Sequence, residues 1–161
     1  KSMRLIQLFI CVFAISSNNV KSDEYNGVVT RVIDGDSIIV KENGNLNKIR
    51  LRYIDAPELS QGYGKESKKF LQNQLLDKSV LVYTEYNDRY GRQLADIYIH
   101  NEIESIYINA KMIKSGNAWV YKTYRSNSYL INLENHAKMN NKGVWSSQEP
   151  LEPWIYRKKM K

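Results

Sequence analysis

The first half of this chain is dominated by three β-forming runs that are separated by very short turns. The runs cover residues 25–33, 37–40 and 49–54, and the turns carry Asp-Gly-Asp at 34–36 and Asn-Gly-Asn at 43–45. Alternating β-branched residues favour strands, and short turns of Gly, Asn and Asp join antiparallel neighbours. The pattern therefore predicts a three-stranded meander, which restricts the chain to folds that contain one.

After the meander the spacing of the apolar residues changes. Helices are predicted over residues 65–76, 106–114 and 129–140, and a second pair of strands over 80–86 and 93–99. The predicted order is βββ-α-ββ-α-α, an α+β chain whose connectivity is that of a five-stranded OB-fold β-barrel with three α-helices. Such barrels bind oligonucleotides or oligosaccharides, but the fold alone implies binding and no chemistry.

The N-terminal segment has the pattern of a secretory signal peptide. Lys1 and Arg4 precede an apolar stretch over residues 5–15, and small polar residues follow it. We predict cleavage after Ser16 or Ser22 and therefore a secreted or periplasmic protein. A buried first helix is the alternative, although the stretch lacks a polar face, and an uncleaved signal would give an anchored surface protein.

Composition narrows the chemistry that the chain can support. Its single cysteine, Cys11, and its two histidines exclude an intrachain disulfide and a Cys- or His-rich metal site, so any metal must be held mainly by oxygen. The segment 1–22 contains three of the 24 basic residues and none of the 17 acidic ones, which lowers the net charge from +7 to +4. We predict a domain over residues 23–148 and a basic C-terminal tail over 149–161. Bulk charge gives only weak support for a polyanionic partner.

Acidic residues and arginines concentrate near the ends of the predicted strands. They are Asp34 and Asp36 after the first strand, Arg50 within the third, Asp55 and Glu58 after it, and Arg92 after the later hairpin turn. Singly they are weak signals, because Asp-Gly-Asp is typical of a turn in which Gly provides a positive φ. Arg50 and Arg52 share one face of the predicted third strand, and Arg52 is expected to be solvated or paired.

Together these residues indicate a more specific chemistry. Two carboxylates that meet repel each other unless a cation lies between them, and hard cations such as Ca²⁺ prefer oxygen ligands. Two arginines offer forked donors that match phosphate oxygens. A third carboxylate nearby can accept a proton from water. The combination predicts a site that hydrolyses phosphodiesters.

The motifs resemble those of the staphylococcal nuclease (thermonuclease) family. They are residues 32–37 (VIDGDS), 50–58 (RLRYIDAPE) and 88–95 (DRYGRQLA), followed by the structural motifs at 116–121 (GNAWVY) and 143–146 (GVWS). The similarity extends from about Tyr25 to Trp145. It implies an OB-fold nuclease that depends on Ca²⁺.

The resemblance also implies a set of metal ligands. Asp36 and Asp55 would bind Ca²⁺ through their side chains, and Ala56, which replaces the threonine of the staphylococcal enzyme, through its backbone carbonyl. Asp34 would be a nearby carboxylate outside the ligand set. Glu58 would orient or deprotonate the attacking water.

The same resemblance assigns residues to the nucleic-acid substrate. Arg50 and Arg92 would grip the scissile phosphate and stabilise its transition-state charge. Tyr90, Leu94 and Tyr124 resemble positions that line the nucleotide pocket.

The expected function is thus a secreted, Ca²⁺-dependent endonuclease that cleaves DNA and RNA to 3′-phosphate and 5′-hydroxyl ends. We expect a monomer that favours single-stranded or A·T-rich DNA and has no stable membrane association after signal cleavage. The alternative is a non-catalytic OB-fold module that only binds nucleic acid, as superfamily members do when the acidic and arginine residues are lost.

Overall fold

A computed structural model of the protein describes residues 23–161, and the predicted signal peptide, 1–22, lies outside the described residues. The strands are β1 (Asp23–Val32), β2 (Ser37–Glu42), β3 (Asn45–Leu51), β4 (Ile54–Asp55), β5 (Ser79–Asn87), β6 (Gln93–His100), β7 (Ser105–Tyr107) and β8 (Trp119–Val120). The α-helices are α1 (Gly64–Leu75), α2 (Ile108–Lys114), α3 (Ser128–Met139) and α4 (Pro153–Lys159), with 3₁₀ turns at Lys122–Tyr124 and Gly143–Ser146. Within this part of the chain, no helix has the length and apolar character needed to cross a bilayer.

Five of the strands close into a barrel. The strand order is β3-β2-β1-β5-β6 with antiparallel neighbours, and β3 also pairs with β6 in parallel, which closes the sheet on itself. The closing register aligns Arg50 with Leu94. The predicted five-stranded OB-fold barrel is therefore confirmed, and the closure brings the third strand beside the second hairpin.

Apolar side chains that alternate along the strands fill the barrel. Ile38, Val40 and Leu51 are among the buried residues of the strands, and α1 adds Leu71 and Leu75 to the same core. Burying such side chains contributes about 1.5–3 kcal/mol each relative to leaving them exposed. The barrel is thus a packed support for the residues at its rim.

The three predicted helices are present, but α2 begins later than the sequence indicates. Residues 105–107 form β7, which pairs with the end of β6, so the helix starts only at Ile108. The buried residues of α2 and α3 include Met112, Ile113 and Leu130. The two helices pack together beside the barrel.

The predicted third strand is interrupted near its end. β3 stops at Leu51, and Tyr53 has a φ of 71°, a left-handed conformation that turns the chain before β4 pairs with β8. The alternation of side chains between the two faces of the strand therefore ends at Leu51, and the expectation that Arg50 and Arg52 share a face is wrong. Arg52 is buried and pairs with Asp96 and with Glu85, away from the acidic residues that Arg50 contacts.

The segment predicted only as a basic tail contains α4. Pro153 occupies the first turn of this helix, where its missing N–H costs nothing, and the residue is buried. The Tyr156 hydroxyl donates to Ser60 Oγ at 3.1 Å, and the Gln61 side chain donates to the Leu151 carbonyl. The end of the chain is therefore folded against the loop that follows β4.

Candidate active site

The turn between β1 and β2 places two carboxylates at the barrel rim. The Asp36 backbone N–H donates to Asp34 Oδ1 at 3.0 Å, and the Asp36 carbonyl accepts from Leu51 N of β3 at 2.8 Å. Gly35 does not have the positive φ expected for this turn. It is required for another reason, because a Cβ there would lie 2.1 Å from Ser67 Oγ and 2.6 Å from Ala56 Cβ.

Arg50 of β3 joins two carboxylates from different parts of the chain. Its Nη2 lies 3.2 Å from Asp36 Oδ2 and 3.0 Å from Asp55 Oδ1, while its Nη1 donates to the Leu51 carbonyl at 2.8 Å. The Asp55 side chain is only 2% exposed. Burial raises the pKa of Asp36, an effect that the positive charge of Arg50 opposes and the charges of Asp34 and Asp55 reinforce. The carboxylates thus converge on one position that favours positive charge.

A second arginine reaches the same carboxylates from α4. Arg157 Nη2 lies 2.7 Å from Asp55 Oδ2, and its Nη1 lies 2.7 Å from Glu58 Oε1. Burial alone would lower the pKa of Arg157, but the hydrogen bonds to Asp55 and Glu58 hold it above its usual value. Sequence reasoning missed this residue, which is 102 positions from Asp55.

The hairpin between β5 and β6 holds Arg92. Asp88 organises it: Oδ1 accepts from Tyr90 N at 2.8 Å and Arg92 N at 3.0 Å, and Oδ2 accepts from Arg92 Nε at 2.8 Å. Burial raises the pKa of Asp88, but these hydrogen bonds outweigh that effect and hold the pKa below its usual value. Gly91 adopts a φ of 76°, which fits the tight turn. Asp88 therefore orients Arg92, a role that the sequence analysis did not assign.

All the predicted site residues line one cavity of about 830 Å³. They are Asp34, Asp36, Arg50, Asp55, Ala56, Glu58, Tyr90, Arg92, Leu94 and Tyr124. Tyr90 is 67% exposed, whereas Tyr124 packs edge-on against Tyr53 with 4.8 Å between ring centroids. Burial raises the pKa of Tyr124 to about 12, so its hydroxyl stays protonated at neutral pH. The cavity therefore combines acidic, arginine and aromatic side chains.

The donor chemistry of the site fits a hard cation. In residues 23–161 no three Asp, Glu, His or Cys side chains form a cluster that could hold a metal ion, and Glu58 instead meets Arg157. However, Asp36 and Asp55 direct oxygens at the same nitrogen of Arg50, and Ala56 lines the same cavity. Two carboxylates and a carbonyl are oxygen ligands of the kind that Ca²⁺ takes.

The closed barrel places the protein in the OB-fold class, whose members bind oligonucleotides and oligosaccharides. The arginines of its cleft are donors that match phosphate oxygens. A sequence model described as "Staphylococcal nuclease homologue" matches residues 48–147. The chain belongs to this staphylococcal nuclease family, as its motifs suggested.

Several relatives support the assignment. A protein of Escherichia coli O157:H7 named "Uncharacterized endonuclease" is 38% identical over 146 residues, which is 91% of this chain and 94% of that protein. Another "Uncharacterized endonuclease", from Haemophilus influenzae, is 36% identical over 134 residues, or 83% of this chain and 73% of the relative. The rice "Probable staphylococcal-like nuclease CAN3" is 40% identical over 111 residues, or 69% of this chain and 28% of the rice protein.

Proposed function

We propose that the protein is an exported, Ca²⁺-dependent endonuclease that hydrolyses phosphodiester bonds of DNA and RNA. The observation that carries the proposal is the convergence of Asp36 and Asp55 on Arg50, in a cavity that also holds Glu58 and Arg92. Family membership and the names of the relatives support nuclease activity on nucleic acid. The intact acidic and arginine residues favour catalysis over the alternative of a binding module.

Asp36, Asp55 and the Ala56 carbonyl are the residues that would hold Ca²⁺. When bound, the ion would supply positive charge beside the scissile phosphate. Asp34 supports this arrangement because it fixes the Asp36 backbone through a 3.0 Å hydrogen bond. Backbone pairing holds both side-chain ligands before substrate arrives, since the Asp36 carbonyl accepts from Leu51 N of β3 and Asp55 pairs with Trp119 of β8.

The two arginines would bind the phosphate and stabilise the charge that it gains during reaction. Arg92 donates through Nε to Asp88, which leaves its two terminal nitrogens as forked donors for phosphate oxygens. Arg50 is fixed in β3 and is aligned with Leu94 across the closing strands. Cations held in place in this way typically contribute about 2.7–4 kcal/mol per donor to transition-state stabilisation.

Glu58 would accept the proton of the attacking water. Its side chain is 40% exposed, so solvent reaches it, and it lies in the loop directly after β4. Attack of the resulting hydroxide on phosphorus and departure of the 5′ oxygen, which takes up a proton, would give the 3′-phosphate and 5′-hydroxyl products. A positioned base of this kind typically contributes about 10²–10⁴-fold to the rate.

The arginine and aromatic side chains of the cleft support a single strand as the preferred substrate. Its aromatic side chains include the exposed Tyr90, over which the guanidinium groups of Arg89 and Arg92 lie at 4.8 Å and 5.7 Å from the ring centroid. OB-fold grooves grip single strands through backbone charge and base stacking. We therefore propose faster cleavage of single-stranded or A·T-rich DNA than of stable duplex, by a monomer.

A nuclease assay on single-stranded DNA tests the proposal. Wild-type protein should cleave in Ca²⁺ and lose activity in EGTA, and Glu58→Gln should lose about 10²-fold or more in turnover because an amide cannot accept the proton. Glu66→Gln is the matched control, since Glu66 is an exposed acid of α1 outside the cavity. Equal activity in EGTA would contradict Ca²⁺ dependence, and a Glu58→Gln rate equal to that of the control would contradict the base.

A further inference from the structure

Arg157 contacts the oxygens that the proposed function assigns to catalysis and to Ca²⁺. It reaches both oxygens of Asp55, at 3.2 Å and 2.7 Å, and one oxygen of Glu58 at 2.7 Å. Arg50 lies 3.0 Å from Asp55 Oδ1. Both Asp55 oxygens are therefore engaged by guanidinium groups, and a cation that binds Asp55 must displace one of them.

The two arginines differ in how easily they can leave. Arg50 lies within β3, its side chain is 14% exposed, and it also contacts Asp36 and the Leu51 carbonyl. Arg157 is 39% exposed and belongs to a seven-residue helix near the end of the chain. Isolated helices of this length are marginal in water, so α4 depends on its contacts with the barrel. Arg157 is the group that can move.

The contacts that dock α4 are specific but few. Pro153 is buried, the Tyr156 hydroxyl donates to Ser60, and the ring of Trp154 lies edge-on to Tyr121 with 6.1 Å between centroids. Ser60 lies in the loop after β4 that also carries Glu58, whereas Tyr121 directly follows β8. The helix therefore directs Arg157 at the acidic site, yet it can undock without opening the barrel core.

We propose that α4 is a built-in competitor for the cation site: Arg157 pairs with Asp55 and Glu58 when the site is empty, and Ca²⁺ takes its place at Asp55 when the ion binds. The inference rests on the proposed function for the identity of the ion. The Arg157 guanidinium and Ca²⁺ are both positive and would both lie within contact distance of Asp55, so they repel each other. Binding of Ca²⁺ therefore releases Arg157, and docking of Arg157 weakens Ca²⁺ binding. Helix α4, which carries Arg157, lies outside residues 48–147, the segment that matches the family model.

The competition has a measurable size. If the released arrangement is populated at about 10% or less, the apparent Ca²⁺ affinity is lowered about tenfold or more relative to a protein without the competitor. Removal of the Arg157 guanidinium should therefore tighten Ca²⁺ binding, although it removes a favourable ion pair from the fold.

Isothermal titration of the full chain with CaCl₂ tests the inference. Arg157→Gln should bind Ca²⁺ at least about tenfold more tightly than wild type. Lys159→Gln is the matched control, because it removes the same charge from an exposed position of α4 outside the cavity and should stay within about twofold of wild type. Equal affinities of Arg157→Gln and Lys159→Gln would overturn the competition while leaving the Ca²⁺ site intact.

Thermal melts give a second readout that does not depend on turnover. In EGTA, Arg157→Gln should melt below Lys159→Gln, since Glu58 loses its ion-pair partner and Asp55 keeps only Arg50. Saturating CaCl₂ should raise the Tm of Arg157→Gln more than that of the control. A Ca²⁺-induced Tm shift that is the same in both variants would overturn the inference. Absence of Ca²⁺ binding in wild type and both variants would instead overturn the proposed Ca²⁺ dependence, and the competition with it.

Discussion

Arg92→Ala should lower turnover while leaving the protein folded, so it tests catalysis separately from stability. The Nε of Arg92 forms one ion pair with Asp88, and its side chain is 32% exposed. This pair at the surface is partly exposed and contributes about 0–1 kcal/mol to the free energy of unfolding. Asp88 retains its two backbone N–H donors after the change. Arg92→Ala should therefore lower Tm by no more than about 4 °C.

The effect on turnover should be far larger. Loss of a fixed donor to the transition-state charge costs about 2.7–4 kcal/mol, or about 10²–10³-fold in kcat. Single-turnover cleavage of a labelled single-stranded oligonucleotide measures this, with Arg31→Ala as a control that removes the same charge from an exposed position of β1. If folded Arg92→Ala cleaves within threefold of Arg31→Ala, the role assigned to Arg92 is wrong.

Three further outcomes follow from the geometry. Gly35→Ala should destabilise the fold by about 1–3 kcal/mol, because the added Cβ overpacks against Ser67 and Ala56. Gly62→Ala is the control and should melt near wild type, since its added Cβ meets nothing within 4 Å, and equal Tm values of the two variants would contradict the prediction. Glu134→Gln should lose about 2 kcal/mol at neutral pH, because the buried carboxylate accepts from Val120 N, Arg125 and Lys138. The pKa of Glu134 is lowered by these donors against the opposing effect of burial, so its stabilising contribution is present above the usual value of 4.5 and is lost as pH falls through the folded pKa. In chemical denaturation the gap between wild type and Glu134→Gln should narrow below pH 4.5, and a gap that is constant with pH would contradict the assignment. Replacement of Ca²⁺ by Mg²⁺ should support turnover poorly, since Mg²⁺ demands near-ideal octahedral geometry, and equal rates with the two ions would contradict the ligand set.

Local patterns were sufficient to predict most of the fold. Short turns fixed the meander, and helical spacing located α1 and α3 to within a few residues. The break after β3 was not predictable, because alternation continues through Arg52 and Tyr53 in the sequence while tertiary pairing of β4 with β8 turns the chain there. β4, β7 and β8 are each at most three residues long, which is too short for a periodic signal.

Most residues of the site could be predicted from the sequence because they lie in contiguous motifs at strand ends. What the sequence did not reveal depends on contacts between distant segments. Asp88 looks like an ordinary turn residue until its three hydrogen bonds are seen, and Arg157 belongs to a segment whose composition is that of a solvated basic tail. Gly35 was predicted as a turn former, but its requirement comes from packing against α1 and the residue after β4.

The parallel pairing of β3 with β6 also affects how the protein behaves when it is crowded with copies of itself. An open sheet has two rows of unpaired backbone groups that can add strands from another molecule. Closure of the barrel pairs residues 49–51 of β3 with residues 93–95 of β6 and so shortens both rows. Among residues 23–161, the strand beyond the closure is β7, which is only three residues long. The fold thus offers little template for intermolecular β-pairing, so a concentrated solution of the folded protein should resist fibrillar aggregation.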